Sequence, residues 1–254
     1  MKGNNLPPHA SVVVIGGGIM GCSTLYHLAK MGVSDTILLE RNKLTSGTTW
    51  HSAAQVRAIR HSQNLTRMIQ YSVDLYSQLE KETGQNVGWI QKGSLSIATS
   101  PDRLIHVKRQ EALAHAYGIN AISISPDEAK ERWPLMNAED VLGAVWSPDD
   151  GRVSPSDVCA ALVKAAKKLG AKIFEDTGVT GIITENGRVK GVETRQGTVM
   201  CDAIALCTGL WSREAGALAG AEVPVLACEH FYLCLLYTSD AADEGLGVDL
   251  GGRR

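Results

Sequence analysis

The 254-residue chain predicts an α/β fold: a nucleotide-binding domain built on parallel strands, with a second, mixed-sheet domain inserted into it. Three observations carry this. A short apolar run, Val12-Val-Val-Ile15, is followed by Gly16, Gly18 and Gly21 and then by a stretch of helix formers. A second apolar run, Thr36-Ile-Leu-Leu39, ends in the acid Glu40. Between residues 85 and 150 short alternating segments mix with short helical ones, which suits an insertion rather than a continuation of the first pattern.

The first run reads as a buried parallel strand, because such strands are covered on both faces and stay apolar throughout. Gly16 lets the chain turn sharply out of it, Gly18 lets a pyrophosphate approach the backbone, and Gly21 lets the helix pack on the sheet. The helix, with Leu25, Leu28 and Ala29 at helical spacing, stops at Gly32. Its N-terminus, including Ile19 and Met20, offers unpaired N–H groups and a partial positive charge to phosphates. Glu40 lies 24 residues beyond Gly16, close to the spacing at which an acid accepts from ribose hydroxyls. This is a Rossmann-like dinucleotide fingerprint. It does not choose between FAD and NAD(P), although Glu40 beside Arg41 would repel a 2′-phosphate.

Further along, Asn64 is read as the cap of a helix to about Thr83, with Leu65, Met68, Ile69, Leu75, Tyr76 and Leu79 as a stripe facing the sheet. Arg57, Arg60 and Arg67 near its start are read as solvated, with a substrate carboxylate or phosphate as the alternative. Gly93 to Ala98 alternates as a strand, Pro101 to Tyr117 is helical, and Ser125-Pro-Asp-Glu128 is a capping box. Strands are expected at 142–146, 172–175, 179–184, 188–193, 197–200 and 202–207, a hairpin turn at Asn186-Gly187, and a helix after Ser154-Pro155. A strand is also expected to begin at Val223.

The loop Leu44-Thr-Ser-Gly-Thr-Thr-Trp-His-Ser-Ala is small, hydroxyl-rich and able to wrap a cofactor closely. By composition alone His51 is a surface histidine. Gly16 to Gly21, Glu40-Arg41 and above all Ser46-Gly-Thr-Thr-Trp-His51 resemble the flavin domain of the sarcosine and dimethylglycine dehydrogenases, within the D-amino-acid-oxidase-like FAD superfamily. The likeness continues in Glu82-Thr-Gly-Gln-Asn-Val-Gly-Trp-Ile-Gln, Trp133-Pro-Leu-Met-Asn, Asp149-Asp-Gly and Val223-Pro-Val-Leu.

The resemblance implies FAD held by Gly16, Gly18, Ile19, Met20, Gly21, Glu40, Arg41, Gly47, Thr48 and Thr49. It also implies a covalent bond from His51 to the flavin, with Val179, Gly209 and Trp211 beside the cofactor. Trp211 reads equally well as a core aromatic. His230 and Tyr232 match a His-x-Tyr on the sheet that roofs the flavin, and are the expected catalytic pair; alternation along a strand puts both on one face, where a core hydrogen-bonded pair is the alternative. The implied reaction is oxidative demethylation of a small N-methyl amino acid by hydride transfer to flavin N5. The acceptor is left open among an electron-transfer flavoprotein, oxygen and a quinone. Tetrahydrofolate enters only through a C-terminal region of the family that is not found here. The rivals are an NAD(P)-dependent dehydrogenase and a non-catalytic FAD-binding fragment.

The expected domains are 10–84 with 152–220 for FAD and 85–151 with 221–233 for substrate. From Cys234 the chain parts from the family and reads like a translated sequencing adapter, so 234–254 is expected to be a non-native, disordered tail on a truncated chain. Net charge is −2, giving no global field for nucleic acid or a membrane surface. The six Cys show no C-x-x-C pair, so no metal site is expected and a reducing compartment is. No apolar run reaches the roughly 20 residues of a membrane helix. The N-terminus lacks a signal-peptide core. The expected location is cytoplasmic, or the mitochondrial matrix if the source is eukaryotic.

Overall fold

A computed structural model describes residues 6–229, 231, 234–235 and 248–249. The chain runs β1 (His9–Ile15), α1 (Ile19–Lys30), β2 (Thr36–Leu39), a 3₁₀ turn (Thr48–His51), β3 (Gln55–Val56), α2 (Gln63–Thr83), β4 (Ser94–Ala98), α3 (Pro101–Ala116), β5 (Ile122–Ile124), α4 (Pro126–Arg132) and β6 (Gly143–Ser147). It continues through β7 (Gly151–Arg152), α5 (Pro155–Lys168), β8 (Lys172–Phe174), β9 (Val179–Glu185), β10 (Arg188–Thr194), β11 (Gly197–Leu206), a second 3₁₀ turn (Gly209–Trp211) and α6 (Ser212–Ala217). Two-residue strands β12 (Cys234–Leu235) and β13 (Val248–Asp249) pair with each other.

A six-stranded sheet has the order β8-β2-β1-β11-β10-β9. Its first four strands are parallel, and β9 and β10 close it as an antiparallel pair on β11. The apolar run of β1 serves both faces. Val14 faces a core shared with Leu25 and Tyr26 of α1 and Leu162 of α5, all fully buried. Val13 and Ile15 face the opposite core with Ile37, Leu39 and Phe174. Each such side chain contributes about 1.5–3 kcal/mol of burial, so a polar residue within the buried Val13–Ile15 end of β1 has no tolerant face.

The second assembly is the antiparallel sheet β4-β6-β5, backed by α3 and α4. The capping box of α4 is present in both directions between Ser125 and Glu128. Asp150, 2% exposed, fastens the segment before α2 to this sheet: its carboxylate accepts from the Ala58 N–H at 2.8 Å and the Ser94 hydroxyl at 2.6 Å.

Several expectations shift. β1 begins at His9, because His9 and Ala10 already pair with Met200 and Cys201. The two segments expected at 197–200 and 202–207 are one strand, long enough to pair with β10 first and β1 next. α2 starts at Gln63, capped by the Ser62 backbone rather than by Asn64. Its stripe does not lie on the sheet: α1 and α5 already cover that face, so α2 packs on α5. Leu79 is fully buried, while Leu65 and Met68 are exposed. Arg57 and Arg60 are half-buried, not solvated; Arg57 donates to Ser96 Oγ at 2.8 Å, and Arg67 is exposed. No strand begins at Val223: Pro224 has no N–H to pair, and the Val225 N–H closes a tight turn onto the Val223 carbonyl at 2.8 Å. His230 and Tyr232 lie outside the described residues, as does most of 234–254.

Candidate flavin-nucleotide site

Parallel strands end together, and ligands of such sheets sit beyond their carboxyl ends. Here Ile15, Leu39 and the Cys207-Thr208 step after β11 open onto one cavity of about 760 Å³. Its walls come from the first residues of α1, the loop after β2, the Thr48–His51 turn, the start of β9 and the α6 segment.

The floor is the glycine turn. Gly16 has φ +108°, and a Cβ there would stand 2.4 Å from the Cys207 carbonyl oxygen. A Cβ on Gly21 would stand 1.8 Å from the Gly16 carbonyl oxygen, so the helix can start where it does only with hydrogen at that position. Gly21 therefore works from behind the cavity wall rather than in it. Gly18 faces the cavity, and a Cβ there would meet the Thr49 hydroxyl at 2.9 Å.

Glu40 holds this turn in place. One carboxylate oxygen accepts the Gly17 N–H at 2.6 Å, and the other accepts the Asn42 N–H at 2.8 Å. Both oxygens keep lone pairs for a ribose on the cavity side. On the same rim the Arg41 guanidinium lies 4.0 Å over the Trp211 ring. Trp211 in turn packs where a Cβ on Gly47 would be 3.3 Å from its ring edge. The aromatic is thus a wall of the site, not a core residue: it is 36% exposed. Arg41 is the one basic side chain among the described residues lining the cavity. The charge of a diphosphate would be met chiefly by the α1 N-terminus, where each aligned dipole end carries about half a charge.

Of the residues expected at the cofactor, Gly16, Gly18, Ile19, Met20, Glu40, Arg41, Gly47, Thr48, Thr49, Val179, Gly209 and Trp211 line the cavity. His51 does not. It is exposed at the end of the 3₁₀ turn, its Nδ1 lies 3.1 Å from the Gly47 carbonyl, and its ring stacks on Trp50 at 3.8 Å.

Other lining residues gave no signal in the sequence. Tyr76 sits in an apolar stripe indistinguishable from core, and burial pushes its hydroxyl pKa up. Thr177 reaches the site through the connection between β8 and β9, and Glu214 from the short helix α6, placements that periodicity does not report.

The donor set fits a flavin nucleotide: a glycine turn at the pyrophosphate position, an acid for the ribose, and apolar walls from Ile15, Val179 and Leu218. The volume falls in the range of about 300–1,000 Å³ usual for cofactor pockets. Fold and cradle together define a dinucleotide-binding α/β protein.

The FAD dependent oxidoreductase family matches residues 11–250, and the chain belongs to that family. It is 43% identical over 234 residues to mouse mitochondrial sarcosine dehydrogenase, covering 90% of this chain and 26% of that protein. It is also 43% identical, over 231 residues, to the mouse mitochondrial pyruvate dehydrogenase phosphatase regulatory subunit, with the same coverages. Identity to human mitochondrial dimethylglycine dehydrogenase is 37% over 224 residues, covering 88% of this chain and 26% of that one. Among solved structures, L-proline dehydrogenase from P. horikoshii superposes with a TM-score of 0.81 at 32% identity, over 85% of this chain and 57% of that one. The chain thus spans about a quarter of the length of these curated relatives.

Proposed function

We propose that this chain is the flavin-holding portion of an FAD-dependent dehydrogenase of small N-methyl amino acids, such as sarcosine or dimethylglycine. One observation carries the reading: the Thr48–His51 turn is folded directly onto the glycine cradle, with the Thr49 hydroxyl 3.0 Å from the Ile19 N–H. The loop that bears the family-like motif and the phosphate-binding turn are therefore one site. Dehydrogenase relatives at 43% and 37% identity support the substrate class.

When bound, FAD supplies the hydride acceptor; the protein holds, orients and tunes it. Glu40 engages the ribose, the α1 N-terminus and Arg41 meet the diphosphate, and Trp211 and Val179 wall the nucleotide. His51 is the proposed covalent anchor. Its ring stands beside the cavity, at the end of the turn whose Thr49 and Ser52 line it. His230 and Tyr232 are proposed to take the ammonium proton and orient the amine, since oxidation needs the free nitrogen lone pair. Residues 10–84 and 152–220 form the proposed FAD domain, and 85–151 with 221–233 the proposed substrate domain. An electron-transfer flavoprotein is the proposed acceptor, and a mitochondrial matrix location follows for a eukaryotic source, in line with the mitochondrial relatives. Among the described residues no helix is long and apolar enough to cross a membrane.

The test is reconstitution with FAD, followed by turnover of sarcosine and dimethylglycine with an artificial electron acceptor. The expected result is a stoichiometric yellow protein with little turnover from the 254-residue chain alone. Failure to take up FAD, with uptake of NAD(P) instead, overturns the reading in favour of a nicotinamide enzyme.

A further inference from the structure

The α1 N-terminus is already engaged before any ligand is considered. Ile19 supplies the first helical N–H, and that N–H points at the Thr49 hydroxyl oxygen, 3.0 Å away and 30 residues along the chain. No side chain from the helix's own N-cap, Gly18, performs this role. The contact therefore comes from outside, from the turn that carries His51.

That turn is a short, tied unit. The Ser52 N–H donates to the Thr49 carbonyl at 3.2 Å, His51 Nδ1 lies 3.1 Å from the Gly47 carbonyl, and Trp50 stacks on His51. Within it, Gly47 abuts Trp211, and Thr49 abuts the cradle. Thr49 and His51 thus belong to one hydrogen-bonded turn, two residues apart.

A diphosphate seated on the cradle needs the N–H that Thr49 now occupies. We propose that Thr49 is a latch, a positioning residue that exchanges the Ile19 N–H for a phosphate oxygen when a nucleoside diphosphate docks and thereby re-aims His51. On docking, the Ile19 N–H turns to the phosphate. The Thr49 hydroxyl, released as an acceptor, donates to the same phosphate. The turn moves as a unit and carries the imidazole toward the cavity. The inference rests on the flavin-nucleotide reading of the site.

ADP, which carries the ribose and diphosphate of the cofactor without its flavin, separates the two claims. Binding is read by calorimetry, and the His51 imidazole is followed by assigned NMR resonances. In the unsubstituted chain ADP binds and the His51 resonance shifts. In Thr49→Val, ADP still binds, with affinity within about tenfold, the scale of a single hydrogen bond, but the His51 resonance no longer responds. Thr49→Ser, which keeps the hydroxyl, restores the response. ADP binding without any His51 response in the unsubstituted chain overturns the latch and leaves the nucleotide site standing. A full response in Thr49→Val does the same. Absence of ADP binding to the unsubstituted chain overturns both.

Discussion

Glu40 reaches 23 residues back along the sequence to hold the Gly17 N–H at 2.6 Å, so the acid expected to meet a ribose is also the support of the phosphate turn. These roles share one side chain because β1 and β2 are adjacent parallel strands ending level with each other, Ile15 opposite Leu39. Glu40→Gln puts an amide N–H against one of two backbone N–H groups. The expected cost is about 1–3 kcal/mol of stability, that of leaving a partly buried donor unmet. FAD affinity falls with it. Paired denaturant unfolding and FAD titrations check this; unchanged stability would confine Glu40 to the ribose.

The glycines divide into those that need space and those that need only conformation. Gly21→Ala places a methyl 1.8 Å from the Gly16 carbonyl oxygen, and Gly16→Ala one 2.4 Å from the Cys207 carbonyl oxygen. Both substitutions are expected to abolish FAD binding and to lower the unfolding free energy by more than about 3 kcal/mol, because backbone has to move. Gly209→Ala, with φ +58° and nothing within 4 Å, is expected to cost only about 1–2 kcal/mol. Equal effects in the three variants would show that the close contacts do not constrain the turn.

Asp150 gives a pH signature. Burial raises its pKa above the ordinary carboxylate value, against the lowering effect of the bonds from Ser94 and Ala58 and the charges of Arg57 and Arg60. A folded pKa above the unfolded one means the native state binds the proton more tightly. Stability relative to Asp150→Asn is therefore expected to rise as pH falls from above the raised value toward the unfolded value of about 3.9. Asp150→Ala leaves two donors without partners and is expected to cost about 2–4 kcal/mol at neutral pH. Urea melts across that pH window read both effects; a flat difference between the parent chain and Asp150→Asn contradicts the raised pKa.

The Arg41–Trp211 pair is a rim contact between residues 170 positions apart in the chain. Trp211→Ala is expected to lower FAD affinity several-fold through the lost wall, with a smaller stability loss near 0.5–1 kcal/mol for the exposed cation–π contact. Trp211→Phe should recover most of the affinity. If Trp211→Ala binds FAD like the parent, Trp211 is not part of the nucleotide wall.

How far the sequence could be read depends on the range of the forces involved. β1, α1 and β2 are legible because the apolar run, the glycines and the stop at Gly32 act within a few residues of one another. The α4 capping box is legible for the same reason. The placement of α2 is not: Leu65 and Met68 carry the spacing of a buried face, but α5, which begins 72 residues after α2 ends and is drawn back to it by the sheet, decides which part of α2 is covered. Thr49 is legible as a small residue in a cofactor loop, but its bond to Ile19 is not, since nothing local links residues 30 apart. Val223 to Leu226 has strand composition, yet Pro224 withholds the N–H that a ladder needs.

The account stands on flavin being held at the junction of the glycine cradle and the His51 turn. Its most direct test is proteolysis of the FAD-reconstituted chain after acid precipitation, with mapping of the flavin fluorescence. The predicted result is one fluorescent peptide containing His51, absent from His51→Ala. Release of all flavin into the acid supernatant, or its recovery on a peptide without His51, would contradict the anchor and with it the likeness in chemistry that the motif implies.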